Sequence, residues 1–347
     1  MSGFQHVKVE RHDRSRRAGP RRTLVTGGTG FIGAYVASAL LETGRDVIVL
    51  DVKDYAPEGR FVLGEALGRV GIERASIDDR ARLFDLVRTF DPDEIVHMAM
   101  MIDPAFLVPN RDAGFRINVE GTLNVLEAMV TFGVEALVNF SSIGVLPKVQ
   151  YEPVDTRHPV LLPTMGSGTQ LYGAMKVASE ALCFAYNQSL GVEFRTIRPS
   201  AVYGLGMNHF PGPIKAMVEG AARGERVHFE TGGPHPRDYT HAADIANLVL
   251  ALLEAPPDAD RIFYGATGEP LVTTSEVAAI VRELVPGADV SIGDQLSEAE
   301  KPVVALRGQL SIENARAQLG WEPAYRSVRD GIARYLGDYR SFLAAGG

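Results

Sequence analysis

Several common classes of protein are excluded by what this chain lacks. A single cysteine, Cys183, in 347 residues rules out an intramolecular disulfide framework. It lies within a helical pattern, where a small core residue is the ordinary reading and a nucleophile the rarer one; the expectation is a reducing, cytoplasmic setting. No apolar run approaches the roughly 20 residues that cross a bilayer, and the first residues lack the apolar centre of a secretory signal. No membrane association is expected. His, Cys, Asp and Glu do not recur at metal-ligand spacing, so no metal is expected. Internal repeats and low-complexity tracts are absent. Positive charge is concentrated at one end: Lys8, Arg11, Arg14, Arg16, Arg17, Arg21 and Arg22 oppose only Glu10 and Asp13. That local +5 leaves −13 on the rest of a chain whose net charge is −8, which disfavours a nucleic-acid surface. Residues 1–22 read as a basic, disordered extension, with binding to an acidic partner left open.

What the chain does have is core-forming material in an alternating order. With 46% hydrophobic residues it can bury a large core in one domain or two coupled ones. Strand signals near 23–26, 46–51, 94–99, 136–140 and 193–197 alternate with helical spacing near 31–43, 79–89, 113–132 and 172–190. This rhythm predicts an α/β fold, a doubly wound parallel Rossmann sheet. Beyond residue 204 the rhythm loosens and Gly and Pro cluster, which predicts a smaller C-terminal substrate-binding region. The expected division is 23–205 with 240–265 for the nucleotide-binding domain, and 206–239 with 266–340 for the substrate region.

The turn Thr26-Gly27-Gly28-Thr29-Gly30-Phe31-Ile32-Gly33 joins the first strand to the first helix. Glycines there let the backbone turn tightly and approach a pyrophosphate, and the helix N-terminus offers unpaired N–H groups to the anion. Gly27, Gly30, Phe31, Ile32 and Gly33 are therefore candidate cofactor contacts. The next strand ends in Asp51, near the roughly 20-residue interval at which a carboxylate reaches a ribose hydroxyl. A carboxylate suits the free hydroxyl of NAD and repels the phosphate of NADP, a preference moderated by Lys53.

A second constellation combines Ser142, after the strand ending at Phe140, with Tyr172 and Lys176. The four-residue interval sets Tyr172 and Lys176 on one helical face. A nearby ammonium and an oxidised nicotinamide would favour the phenolate, making Tyr172 a proton carrier near neutrality. Ser142 would hydrogen-bond the same substrate oxygen. Without the upstream turn, Tyr-x-x-x-Lys would more often be an ordinary surface pair.

Taken with TGGTGFIG at 26–33, IVHMA at 95–99, NVEGTLNVLEA at 118–128, FSS at 140–142, YGAMK at 172–176, VYG at 202–204, RDYTHAADIA at 237–246 and LGWEP at 319–323, these residues resemble the extended short-chain dehydrogenase/reductase superfamily, in its NAD-dependent epimerase/dehydratase branch. The resemblance covers about 22–340. It implies bound NAD or NADP, often a homodimer through two helices that map to about 113–132 and 172–190, and catalysis by Ser142, Tyr172 and Lys176, with Tyr172 and Lys176 also cofactor contacts, Lys176 on the nicotinamide ribose. Asn118 matches a helix asparagine near the cofactor; a helix N-terminal cap is the alternative. Ala99 falls where the family sets backbone beside the cofactor, and His97 before it reads as a structural histidine. The adenine-contacting Asp at the end of the third strand is replaced by Ser76, with Asp78 as a candidate substitute.

For the substrate, Arg237 matches an arginine that contacts a diphosphate, a geometry suited to a guanidinium; the alternative is a surface cation. Arg307 is a candidate second phosphate ligand. Ala201 replaces an asparagine that often helps to hold the diphosphate. Met98, Met100, Met101 and Ile102 offer an apolar wall for a less polar substrate, with Met101 the candidate contact, although ordinary core and loop packing is the commoner explanation of such residues. Residues 166–170 would form a flexible lip or a solvated connector. Ser142 is followed by Ile143-Gly144 and not by the Asp-Glu of the family's dehydratases, so dehydration is disfavoured. The first expectation is a nucleotide-sugar epimerase. A dehydrogenase or ketoreductase of a non-nucleotide hydroxy or keto substrate, and a non-catalytic NAD-binding regulator, stand as alternatives.

Overall fold

Parallel strands covered on both faces carry apolar side chains at successive positions. In the computed structural model, which describes residues 19–166, 168–207 and 212–347, the strands run in chain order β1 (Arg22–Thr26), β2 (Asp46–Asp51), β3 (Val70–Arg74), β4 (Glu94–His97), β5 (Ala136–Phe140) and β6 (Phe194–Pro199). Four short strands follow, β7 (Ala201–Tyr203), β8 (Val227–Phe229), β9 (Pro236–Arg237) and β10 (Tyr239–His241), and then β11 (Ile262–Gly265). A seven-stranded sheet forms in the order β11-β6-β5-β4-β1-β2-β3, parallel throughout. Every residue of β4 and β6 is buried, whereas β3, at the sheet edge, is largely exposed.

Successive residues of each strand serve opposite faces. Val25, Val96 and Val138 pack with α1 (Phe31–Glu42), while Leu24, Ile95 and Leu137 pack with α3 (Arg80–Phe90) and α6 (Gly121–Phe132). Each such aliphatic side chain contributes about 1.5–3 kcal/mol relative to exposure. The helix α7 (Gln170–Leu190) lies on the second of these faces, and α9 (Ala242–Leu253) on the first.

A second core is built by α8 (Ile214–Arg223), α10 (Thr274–Leu284) and α13 (Val328–Ala344), with Tyr203 and Tyr239. In α13 the buried Val328, Ile332, Tyr335, Leu336, Tyr339 and Phe342 follow helical spacing. Small ladders tie this region together: β7 with β10, β9 with β12 (Val272–Thr273), and β8 with β13 (Val290–Ile292). Both cores draw on residues across the expected divisions. Ala201, Tyr203 and Leu205 belong to the second, and Leu310, Ile312, Ala315 and Trp321 to the first.

Of the expected basic extension, residues 1–18 lie outside the described residues. Its last two arginines belong to the fold and correct the boundary: Arg22 opens β1, and Arg21 pairs with Glu135 at 3.0 Å and Glu94 at 3.4 Å. No helix among the described residues is long and apolar enough to cross a membrane. Strand order reverses between β1 and β4, since the chain runs outward through β2 and β3 and returns to β1's other side. Ligands of open parallel sheets bind at the carboxyl ends beside such a switch.

Candidate active site

At the carboxyl end of β1 the backbone turns at Gly27, whose φ of +71° is disfavoured for residues with a side chain. A Cβ there would lie 2.7 Å from the backbone N and Cα of Ala99, so the Gly-rich turn and the end of β4 touch backbone to backbone. Gly33 is equally constrained, with Gly28 O 2.4 Å from where its Cβ would stand. The first helical bond shown at this turn is Ala34 N to Gly30 O, 3.1 Å, which leaves the N–H groups of Phe31, Ile32 and Gly33 ahead of it at the opening of α1. Asp51 Oδ2 accepts from Thr29 N at 3.0 Å, and its Oδ1 from Val52 N at 2.7 Å, so the carboxylate is fixed beside the turn. The buried hydroxyls of Thr29 and Ser141 have no protein partner. A tight glycine cradle, first-turn N–H groups, a fixed carboxylate and unpartnered hydroxyls fit a dinucleotide pyrophosphate and ribose.

Ser142, Tyr172 and Lys176 converge at the carboxyl end of β5. Ser142 caps the short turn Ile143–Val145, its Oγ accepting from Gly144 N at 2.9 Å. Tyr172 and Lys176 share a face of α7, with Lys176 Nζ 5.9 Å from the centre of the Tyr172 ring. Lys176 is 3% exposed and donates to the Phe140 carbonyl. Burial pushes its ammonium down to about 7. Burial also pushes Tyr172 up to about 12, against a hydrogen bond from Ser142 that favours the phenolate. Desolvation outweighs the neighbouring groups at both residues and drives them toward their neutral forms.

Asn118 is buried within the helical stretch, in a π turn spanning Arg116–Glu120 between α5 (Arg111–Phe115) and α6, so the N-terminal cap is excluded. Its Oδ1 accepts from Met101 N at 2.7 Å, and its Nδ2 donates to Met101 O at 2.9 Å and toward Met175 Sδ at 3.6 Å. Its amide grips the segment leaving β4. Met100 meets the catalytic candidates: Tyr172 Oη donates weakly to Met100 Sδ at 3.8 Å. His97 is satisfied, with Nδ1 2.7 Å from Thr26 Oγ1 and Nε2 3.1 Å from Thr122 Oγ1, and burial pushes it down to about 3.

Ser76 engages Asp78, which lies 3.4 Å from Arg116. Ser167 of the expected lip lies outside the described residues, but its neighbours are pinned to the Ser142 loop: Thr169 N donates to Gly144 O at 2.9 Å and Gly168 N to Val145 O at 3.4 Å. Tyr172 begins one turn later, so the lip links both catalytic candidates.

Arg237, half-buried on β9, donates to a neutral partner, Thr274 Oγ1, at 3.3 Å. Arg307 stands close enough for the two charges to interact: burial first, then Arg237, pushes its guanidinium down to about 10. Its buried Nε has no protein partner. The same two cations, after burial, push His235 down to about 4. Two guanidinium groups within electrostatic range of each other, one of them largely desolvated, suit an anion. No sequence motif joins Arg307 to Arg237; only the tertiary fold does. Among the described residues no group of His, Cys, Asp and Glu is arranged to hold a metal.

Residues 23–263 match the NAD-dependent epimerase/dehydratase family. The chain is 28% identical to the putative UDP-glucose 4-epimerase of Methanocaldococcus jannaschii over 322 residues, 90% of this chain and 96% of that one. It is 28% identical to UDP-glucuronic acid decarboxylase 6 of Arabidopsis thaliana, over 92% of this chain and 89% of that one. The solved Thermus thermophilus UDP-glucose 4-epimerase complex with NAD aligns at TM-score 0.73 and 27% identity, covering 92% of this chain and 99% of that one. The match over most of the chain, with the glycine cradle and the Ser142, Tyr172 and Lys176 cluster at the sheet's carboxyl edge, makes this protein a member of the NAD-dependent epimerase/dehydratase family of extended short-chain dehydrogenases/reductases.

Proposed function

We propose that this protein is a nucleotide-sugar epimerase whose reaction is hydride transfer at a secondary carbinol. The observation that carries the substrate class is the Arg237–Arg307 pair, an anion site of two guanidinium groups in the same chain as a proton-transfer cluster. The relatives named UDP-glucose 4-epimerase and UDP-glucuronic acid decarboxylase point to the same substrate class.

When bound, NAD supplies reversible hydride transfer. Gly27, Gly30, Phe31, Ile32 and Gly33 would hold its pyrophosphate, Asp51 its adenosine ribose, and Lys176 its nicotinamide ribose, with the Ala99 backbone beside it. Tyr172 Oη takes the proton of the reacting hydroxyl and gives it back, while Ser142 donates to that same oxygen. Asn118 holds the Met100–Met101 segment against the site. Arg237 and Arg307 hold the diphosphate, replacing the grip that Ala201 cannot provide. Because an epimerase returns each hydride it removes, it needs no net oxidant. Mass spectrometry of small molecules released by denaturing extensively desalted protein tests this: stoichiometric NAD is expected, and protein that releases none and only binds added NAD reversibly indicates an open-cycle dehydrogenase.

The substrate contacts make a further prediction. Arg237→Ala removes one charge-assisted diphosphate contact, worth about 1.5–3 kcal/mol, and raises KM for UDP-glucose at least about tenfold with a smaller change in kcat. Steady-state kinetics check it; an unchanged KM excludes Arg237 from the diphosphate. Similarly, Asp51→Ala weakens NAD by about tenfold or more while affecting NADP less, as read by fluorescence titration of both. An unaltered ratio of affinities removes Asp51 from the ribose.

The setting is cytoplasmic in this reading, in keeping with the buried free thiol of Cys183. The functional unit is a homodimer built on α7 and the 111–132 helical stretch. This face leaves Phe115, Leu171, Ala174, Ala181 and Ala185 exposed; light scattering reads the assembly directly.

A further inference from the structure

Behind the catalytic candidates lies a buried ion pair that the proton-transfer cluster does not itself use. Glu180 follows Lys176 by one turn on the same face of α7. Arg198, on β6, grips the Glu180 carboxylate with two hydrogen bonds, Nε to Oε1 at 2.8 Å and Nη2 to Oε2 at 2.7 Å. Both side chains are almost completely buried, at 4% and 6% exposure. The Arg198 guanidinium lies 6.0 Å from the Tyr264 ring on β11, and its Nη1 has no partner. A planar fork of this kind fixes where a carboxylate stands far more firmly than water would.

The groups around Lys176 are few. Tyr172, Glu180 and Cys183 share its helix, His97 approaches from β4, and Arg198 stands behind Glu180 on β6 with Tyr264 beyond. Of these, Glu180 is the carboxylate. His97 is held neutral by burial and Cys183 is pushed up to about 12, so neither supplies a charge near neutrality. Desolvation is the largest influence on Lys176 and lowers it to about 7, and Glu180 is the leading group that opposes it.

We propose that Glu180, anchored by Arg198, is a positioning residue that favours the ammonium form of Lys176 and thereby sets the pH range over which the Tyr172 site works. This rests on the catalytic reading of Tyr172 and Lys176 above. An ammonium beside Tyr172 stabilises the phenolate that accepts the substrate proton; a neutral amine does not. A free carboxylate in this interior would be costly to keep charged, and Arg198 offsets that cost while leaving Glu180 at a fixed distance from Lys176.

The test is an NMR titration of lysine-labelled, NAD-loaded protein, with the Lys176 signal identified by its loss in Lys176→Arg. Glu180→Gln keeps the shape of the side chain and removes its charge. It is expected to lower the Lys176 midpoint by about one pH unit or more, and to move the pH profile of kcat in the same direction with little change in KM. Glu180→Met combined with Arg198→Met removes the pair without stranding a charge, which buried pairs tolerate; it is expected to lower the midpoint as well. Midpoints equal to wild type in the folded variants would overturn the proposal and leave the pair a packing element. The titration needs no substrate, so a protein that turned over no nucleotide sugar would still answer it.

Discussion

Tyr172→Phe lowers kcat by about 10²–10⁴-fold, the usual worth of a positioned acid–base group, and leaves NAD binding nearly unchanged. The phenylalanine ring keeps the contact with Lys176 Nζ and the packing against Gly144, whose Cβ would lie 3.1 Å from the Tyr172 ring. What is lost is a single oxygen, now in contact with Met100 Sδ and Ser142. Because no cofactor contact assigned to the cradle involves that oxygen, affinity and turnover separate. Steady-state kinetics with a parallel NAD titration read both. Activity near wild type in the Phe variant would remove proton transfer from Tyr172, and a matching loss of NAD affinity would make its role structural.

Gly27→Ala has the second large effect, and it strikes both stability and cofactor retention. The residue sits at φ +71°, where a side chain costs about 1–2 kcal/mol. Its new Cβ would also overlap the Ala99 backbone at 2.7 Å. That neighbour cannot rotate away, since it belongs to the main chain leaving β4, and overpacking of this kind adds about 1–3 kcal/mol. Relief requires β1 and β4 to move apart at the point where the pyrophosphate would lie. Thermal or denaturant unfolding should show the destabilisation, and denatured protein should release little NAD. Wild-type stability with full NAD occupancy would contradict the backbone-to-backbone contact and the cradle built on it.

The parts of the fold that were legible in the sequence share a local cause. The glycine turn could be read because it requires particular residues at particular intervals between a strand and a helix, and Asp51 because its interval is set by one strand–helix–strand unit. Strands β1, β2, β4 and β5 announce themselves as short apolar runs, being covered on both faces. β3 does not: it lies at the sheet edge, with only Val70 and Ile72 apolar and most of its residues exposed. β11 was likewise not singled out, although it is buried, because four residues between loops give no period to recognise.

The site was less legible where contacts between distant segments decide it. Asn118 acts on Met101, 17 positions away, from a π turn that helical spacing does not distinguish from an α turn. Met100 rather than Met101 reaches Tyr172, a difference of one residue in a loop whose direction no pattern sets. Arg307 comes within electrostatic range of Arg237 only through the tertiary fold. The protonation tendencies of Tyr172 and Lys176 invert the expectation from charge alone, because the extent of burial is a property of the assembled site. Glu180 was invisible for the same reason, its meaning depending on Arg198 from β6.

In an epimerase, a hydride removed from the nucleotide sugar is returned to the same molecule. UDP-glucose carrying deuterium at the reacting sugar carbon, incubated with desalted protein and no added NAD, tests it by mass spectrometry and NMR of the recovered sugar nucleotide. An epimerised product that retains the deuterium is expected, with no oxidised sugar accumulating. Deuterium lost to the medium, or an oxidised product that forms only when NAD is supplied, would contradict it.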